Sequence, residues 1–171
     1  MKKLLIIVDM QNDFIDGSLA NKDAQDIIPN MVKYINDFSG DIAITLDTHN
    51  LDYMSTQEGR LLPIPHCIKG SEGHKLNSSI ATAIEGRTKY TLTKYGFGYT
   101  EYSSLNLDKI YDEVILVGTC TDICVISNAL AIKQAYPELK VSVISSLCAG
   151  VNKDLHDSAL KVMKSCQINV L

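Results

Sequence analysis

The sequence predicts an α/β fold in which helices cover both faces of a mainly parallel sheet of six strands. Short apolar runs typical of buried strands alternate along the chain with segments whose apolar residues recur at helical spacing. The clearest example joins a strand at residues 114–117 to a helix that carries Val125, Ala129 and Ile132. Parallel strands need right-handed crossovers, which place helices on both faces of the sheet. We therefore expect a three-layer α/β/α, Rossmann-like architecture.

The first half of the chain is expected to hold two strands, one long helix and a long connection. An apolar run that Asp9 ends indicates a strand buried on both faces. The next helix should begin near Ile28-Pro29, because proline suits a first turn, and should end at Gly40. A connection as long as residues 47–87 usually carries function. The predicted strands span 3–8 and 42–46, the helix turns Met31, Val32, Ile35 and Phe38 inward, and the connection holds a short helix at 78–84.

The second half of the chain is expected to hold the other four strands. Thr121 and Asp122 are suited to cap the helix after the central strand, which places Cys124 in its first turn. Because no repeat, low-complexity tract or linker interrupts the chain, residues 1–171 should form one domain. The predicted strands span 88–93, 114–117, 140–144 and 168–171, the other predicted helices span 100–107 and 152–164, and a loop is predicted at 145–150.

Composition narrows the classes of function. The net charge is −4, with 21% charged and 46% hydrophobic residues, which gives no reason to expect nucleic acid or an anionic membrane as a partner. The N-terminal apolar run is broken by Asp9 too early for a signal peptide, and no segment approaches transmembrane length. Five cysteines without framework spacing favour a reducing cytoplasm. A homo-oligomer is left open.

Chemically distinct side chains follow the predicted strand ends, where ligands bind in open parallel sheets. Asp9 ends the first strand, Lys94 the third, and Cys124 follows the fourth. A thiol at a helix N-terminus is expected to favour the thiolate, and the turn amides can hold an oxyanion. Asp9 could take the thiol proton, while Lys94 stabilises the anions. The alternative interpretation is that Cys124 only fills space in the core.

A second group of residues suits a metal ion. Asp47 and His49 are two apart, so their side chains point the same way in an extended segment, and Glu58 and His66 follow in the long connection. Two carboxylates and two imidazoles suit Zn²⁺ first, with Mn²⁺ or Fe²⁺ as alternatives. The competing interpretation is that Asp47 and His49 merely hydrogen-bond the loop while Glu58 is solvated.

Five segments, in a fixed order, carry a resemblance that covers nearly the whole chain. The segments are Val8-Asp-Met-Gln-Asn-Asp-Phe14, Asp47-Thr-His49, Pro65-His-Cys-Ile-Lys-Gly70, Thr93-Lys-Tyr-Gly-Phe97 and Gly118-Thr-Cys-Thr-Asp-Ile-Cys-Val125. Through them the sequence resembles the nicotinamidase, pyrazinamidase-like branch of the isochorismatase-like cysteine hydrolases. Each segment is modest alone, but the ordered set is specific for the superfamily.

The resemblance implies roles for particular residues. It implies a catalytic triad of Asp9, Lys94 and Cys124, and a cis peptide before Cys120, whose N–H would join that of Cys124 in the oxyanion hole. It implies a metal that binds the pyridine nitrogen of nicotinamide, while the thiolate attacks the carboxamide to form a thioester that water hydrolyses. The implied metal ligands are Asp47, His49, Glu58 and His66, and Phe14, Leu62, Phe97 and Tyr99 are expected around the substrate.

Departures from the family pattern keep other functions open. The chain has no tryptophan, and Leu62 stands near the position where relatives often place a large aromatic side chain. A related hydrolase of another small amide or carbamoyl compound is therefore the first alternative. A non-catalytic ligand-binding protein and a thiol-redox role for Cys120 and Cys124 are the others. His74 and His156 match no site position and are expected at the surface or behind the site.

Overall fold

A computed structural model describes all 171 residues and contains a six-stranded sheet in which every pairing is parallel. The strand order is β3-β2-β1-β4-β5-β6, which confirms the predicted fold class. The apolar run of the first strand alternates between the two faces of the sheet, so each face of the sheet carries its own core. The strands are β1 (Lys3–Val8), β2 (Asp41–Asp47), β3 (Thr88–Lys94), β4 (Glu113–Thr119), β5 (Lys140–Ala149) and β6 (Asn169–Val170).

Helices pack on both faces of this sheet. One face carries α1, α2 and α4, and the other carries α5, α6 and α7. None of these helices is both long and apolar enough to cross a bilayer. The helices are α1 (Asn12–Ile15), α2 (Lys22–Asp37), α3 (Gln57–Leu61), α4 (Ser78–Ala83), α5 (Leu107–Ile110), α6 (Ile126–Ala135) and α7 (Lys153–Ser165), with 3₁₀ turns at Tyr53–Ser55 and Tyr102–Leu105 and a π-helical turn at Thr121–Val125.

Helix α2 begins six residues before the predicted start. Asn21 caps it, because its side-chain oxygen accepts the Ala24 N–H at 3.2 Å, and Pro29 lies inside the helix rather than in its first turn. The predicted start near Ile28-Pro29 was therefore wrong, because the asparagine cap and not the proline marks the start of the helix. The buried residues Met31 and Ile35 confirm the predicted inner face.

Three other predictions about the second half of the chain need correction. The predicted loop at 145–150 is largely strand, since β5 leaves register with β4 after Val143 and rejoins it at Cys148. The predicted helix at 100–107 is a 3₁₀ turn followed by α5. The last strand is only two residues long. The strand at 145–149 was missed because β5 pairs irregularly there, and the sequence of such a bulge resembles that of a loop.

Candidate active site

The site lies where the strand order reverses, between β1 and β4. Open parallel sheets bind ligands in the crevice that this reversal leaves beyond the carboxyl ends of the strands. Asp9 follows β1, Asp47 and Lys94 end β2 and β3, and Cys124 lies in the turn after β4. All four residues are buried. The structure thus brings together the side chains that the sequence placed at four separate strand ends.

Lys94 connects the other three charged or reactive groups. Its Nζ lies 2.7 Å from Asp9 Oδ2 and 3.0 Å from Asp47 Oδ1. It also donates to the Gly96 carbonyl at 3.1 Å and lies 3.6 Å from Cys124 Sγ. The Lys94 side chain is fully buried, and its ion pairs hold its pKa above the usual value although burial opposes this. The ammonium is therefore a fixed positive charge beside the thiol.

Burial works against the thiolate that the helix N-terminus was expected to favour at Cys124. Burial is the largest effect and raises the pKa of Cys124 well above its usual value, and the Asp9 charge raises it further, while Lys94 only partly opposes both. Desolvation of the anion therefore opposes the charges that were expected to favour the thiolate. A proton acceptor next to the thiol is therefore needed for attack on a carbonyl.

Asp9 is the buried carboxylate whose charge acts on the Cys124 thiol. Its Oδ1 accepts the Thr45 hydroxyl at 2.6 Å, and its Oδ2 forms the 2.7 Å ion pair with Lys94 Nζ. Burial raises the pKa of Asp9, and the Lys94 charge opposes this.

Cys124 lies in the π-helical turn Thr121–Val125, which we call the nucleophile turn. The peptide between Thr119 and Cys120 is cis, as the resemblance implied. No side chain caps the turn, so the predicted capping roles of Thr121 and Asp122 were wrong. The Thr121 hydroxyl instead hydrogen-bonds His156 Nδ1 at 2.8 Å, which places His156 behind the site as expected.

The predicted metal ligands form a compact cluster. Ligand atoms of Asp47, His49 and His66 lie within 4.8 Å of one another, and all three residues are buried. The Nε2 atoms of His49 and His66 lie 3.0 and 3.5 Å from Asp47 Oδ2. Glu58 Oε1 lies 3.7 Å from both Nε2 atoms and is partly exposed. The interpretation that Glu58 is merely solvated therefore loses support.

The carboxylate of Asp47 contacts the two imidazoles through Oδ2 and Lys94 through Oδ1. Burial on its own would raise the pKa of Asp47, but hydrogen bonds from His49 and His66 and the Lys94 charge outweigh it and hold the pKa far below its usual range. His66 is oriented by a second contact, between its Nδ1 and the Ile64 carbonyl at 2.9 Å. Such contacts to the far side of an imidazole fix the nitrogen that can face a metal.

A cavity of about 670 Å³ opens over Cys124 and the metal-ligand cluster. Three of the four expected substrate-contacting residues, Phe14, Leu62 and Phe97, line it. Tyr99 does not line it, and its ring packs against that of Tyr102 at 5.2 Å. The other lining residues include Leu19, Asn21, Lys22, Asp47, Glu58, Cys120, Ile123, Val151, Asn152 and Lys153.

The similarity of this chain to known proteins agrees with that geometry. Residues 3–171 match the isochorismatase domain family. The chain belongs to this family. A nicotinamidase/pyrazinamidase from Mycobacterium tuberculosis is 30% identical over 191 residues, which cover 99% of this chain and 98% of that protein.

Solved structures with the isochorismatase-family fold resemble this chain over its whole length. A nicotinamidase structure from Bacillus subtilis is 28% identical, with a TM-score of 0.85 and 99% of both chains covered. The pyrazinamidase of Pyrococcus horikoshii, solved in complex with zinc, is 24% identical, with a TM-score of 0.82, and covers 100% of this chain and 99% of that one. This last likeness concerns the fold.

Two residues that support the isochorismatase-family site escaped the sequence analysis. Gln11 is fully buried, and its side-chain amide accepts the Asp47 N–H at 2.8 Å and donates to the Asp47 carbonyl at 2.9 Å. Asn128 donates to the Cys124 carbonyl at 2.7 Å and accepts the Tyr102 hydroxyl at 2.7 Å. Gln11 lies in the first segment that carries the resemblance, whereas no sequence signal marks Asn128.

Proposed function

We propose that this protein hydrolyses nicotinamide to nicotinate and ammonia, with Cys124 as the nucleophile. The observation that carries the proposal is the contact of Lys94 with Asp9, Cys124 and Asp47, which joins a thiol-acid pair to a metal-ligand cluster. The named activities of the relatives from M. tuberculosis and B. subtilis support the choice of nicotinamide. Family membership alone would not select a substrate, since function resides in sites rather than folds.

The chemical steps follow from the positions of three side chains. Asp9 takes the thiol proton, and the thiolate of Cys124 attacks the carboxamide carbon. The carbon–nitrogen bond then breaks as Asp9 returns the proton to the leaving ammonia, which leaves a thioester on Cys124. Asp9 next takes a proton from water, whose oxygen attacks the thioester, and the released thiol regains its proton. Lys94 stays charged and stabilises the anionic groups throughout.

Backbone amides at the nucleophile turn supply the oxyanion hole in this proposal. The N–H groups of Cys120 and Cys124 are the assigned donors. Fixed donors of this kind stabilise the charge that develops on the carbonyl oxygen without reorganising. The thiol of Cys120 takes no part and accepts a hydrogen bond from Thr119 Oγ1 at 3.3 Å.

Asp47, His49 and His66 fit a divalent metal ion, and Glu58 is the proposed fourth ligand. The fit rests on two buried imidazole nitrogens that face one carboxylate oxygen, with a second carboxylate 3.7 Å away. This donor set suits Zn²⁺ first and Mn²⁺ or Fe²⁺ next. When bound, the ion supplies a Lewis-acid attachment point for the pyridine nitrogen. Phe14 would flank the ring, since its own ring lies 5.6 Å from that of His66.

The second candidate substrate is another small amide. Leu62, rather than a large aromatic side chain, lines this part of the cavity and is 37% exposed, so the wall offers no ring for stacking at this position. An aliphatic wall discriminates weakly between planar rings and other apolar groups of similar size. Pyrazinamide and carbamoyl compounds therefore belong in the same assay as nicotinamide.

The test measures ammonia release from nicotinamide and metal content on one sample of purified protein. Cys124→Ala should abolish release while metal is retained, and His49→Ala should lose both. Cys166→Ala is the matched control, because Cys166 is exposed and should leave the rate unchanged. Turnover that survives in Cys124→Ala would refute the nucleophile. No release by folded, metal-loaded protein would reject nicotinamide and direct the search to the other amides.

A further inference from the structure

Tyr53 is a buried aromatic residue that packs on both imidazoles of the metal-ligand cluster. It is 1% exposed, and its ring centroid lies 4.8 Å from that of His49 and 5.1 Å from that of His66. The interplanar angles are 69° and 74°, and His49 and His66 themselves pack at 4.7 Å. Edge-to-face packing at these separations is favourable and depends on orientation. The three rings therefore restrict one another's tilt.

The hydroxyl of Tyr53 reaches a different part of the site. It donates to the Leu62 carbonyl at 2.8 Å, and Leu62 is a wall of the cavity. The segment between these two residues is compact, because the Thr56 hydroxyl donates to the Tyr53 carbonyl at 2.7 Å. Gly59 passes so close that an added Cβ would lie 2.1 Å from the Tyr53 carbonyl oxygen. Glu58 is part of this same segment.

We propose that Tyr53 is a positioning residue that holds two parts of the site at once, the imidazoles of His49 and His66 through its ring and the Leu62 wall through its hydroxyl. The role of the Tyr53 ring, which we call the ring half, concerns metal binding and can be measured without any substrate. The role of its hydroxyl, which we call the hydroxyl half, concerns the Leu62 wall, and only this half rests on the proposed function. Tyr53 thus supports the aliphatic Leu62 wall from behind.

The ring half is tested by the affinity of the metal-free protein for Zn²⁺ alone, measured by competition with a chromogenic chelator. Tyr53→Leu removes the ring and should weaken Zn²⁺ binding by roughly tenfold or more, as the loss of a contact that orients metal ligands does. Tyr53→Phe keeps the ring and should bind Zn²⁺ as tightly as the wild type. If Tyr53→Leu also binds Zn²⁺ as tightly as the wild type, the ring half is wrong.

The hydroxyl half is tested by steady-state kinetics of Tyr53→Phe with nicotinamide. Loss of one hydrogen bond to the Leu62 carbonyl should raise KM by roughly threefold to tenfold. The value of kcat should stay unchanged, because the wall contacts the substrate equally before and during reaction. A lowered kcat with unchanged KM, or no change in either, would overturn this half.

Tyr111 provides the matched control for both substitutions. It is also buried, and its hydroxyl bonds Asp41 at 2.8 Å, at the opposite end of the sheet. Tyr111→Phe and Tyr111→Leu should change thermal stability without changing Zn²⁺ affinity or KM. If Tyr53→Leu does not unfold cooperatively, Tyr53→Met replaces it, since methionine fills the space without a ring. If the wild type does not hydrolyse nicotinamide, the proposed function fails while the Zn²⁺ measurement still decides the ring half.

Discussion

At the scale of single residues, one lysine balances two buried carboxylates. Lys94 lies within 3.0 Å of both Asp9 and Asp47, and no other cation forms an ion pair with Asp9. A buried charge whose partner is removed stays in a medium that solvates it poorly. Lys94 is therefore expected to matter for stability as well as for catalysis, unlike a lysine at the surface.

We predict that Lys94→Gln destabilises the fold and removes activity. Leaving Asp9 and Asp47 without their cation should cost about 3–5 kcal/mol of the free energy of unfolding. Lys89→Gln is the control on the same strand, because Lys89 pairs with Asp41 at 2.8 Å near the surface and should cost about 0–1 kcal/mol. Urea denaturation of both variants checks the difference, and equal midpoints would contradict it.

At the scale of elements, the close pairing of β1 with β4 depends on one glycine just before the nucleophile turn. Gly118 pairs with Val8 and has a φ of +126°, which side chains rarely adopt. A Cβ there would lie 2.2 Å from the Val8 carbonyl oxygen. Since Asp9 follows Val8, the same contact sets the distance between the acid and the turn that holds Cys124.

We predict that Gly118→Ala lowers the free energy of unfolding by about 2–6 kcal/mol, because the costs of backbone strain and overpacking add. Gly70→Ala should cost about 1–2 kcal/mol, since its φ is +85° but no atom lies within 4 Å of the added Cβ. Gly96→Ala meets neither problem and should stay within about 0.5 kcal/mol of the wild type. Chemical denaturation of the three variants ranks these costs, and a different order would contradict the explanation.

At the scale of the whole molecule, a buried carboxylate ties the amino ends of three strands together. Glu113, at the start of β4, lies 2.9 Å from Lys3 on β1 and 3.1 Å from Lys140 on β5, and accepts the Ser142 hydroxyl. Burial would raise its pKa, but these hydrogen bonds and charges outweigh burial and lower the pKa below 4.5. This cluster lies at the edge of the sheet opposite the active site.

We predict an acid-dependent loss of stability to which Glu113 contributes. Because its folded-state pKa is lowered, its contribution is present above pH 4.5 and is lost as the pH falls through the folded-state value. Glu113→Gln should therefore be less stable than the wild type at neutral pH and should depend less on pH in the acid range. Glu138→Gln, at an exposed position, should follow the wild-type curve. The measurement is the urea denaturation midpoint of each variant between pH 3 and 7. If the midpoints of Glu113→Gln and the wild type change with pH in parallel, the prediction is refuted.

The sequence by itself determined the fold class and the residues at the strand ends. Apolar runs and helical spacing are local patterns, and parallel strands bring their carboxyl ends to one edge, so Asp9, Lys94 and Cys124 could be grouped without coordinates. The metal-ligand cluster followed from residue types and from the family resemblance. The start of α2 and the extent of β5 were mistaken, because local signals of comparable strength competed there.

Only the tertiary structure decided which groups face one another across the chain. Burial of Cys124 raises the pKa of its thiol, which the sequence could not reveal because desolvation depends on everything packed around the sulfur. Tyr99 packs against Tyr102 and does not line the cavity. The contacts of Gln11 and Tyr53 with the metal-ligand cluster join residues from different segments. Such contacts depend on side-chain direction and distance, which a one-dimensional pattern does not carry.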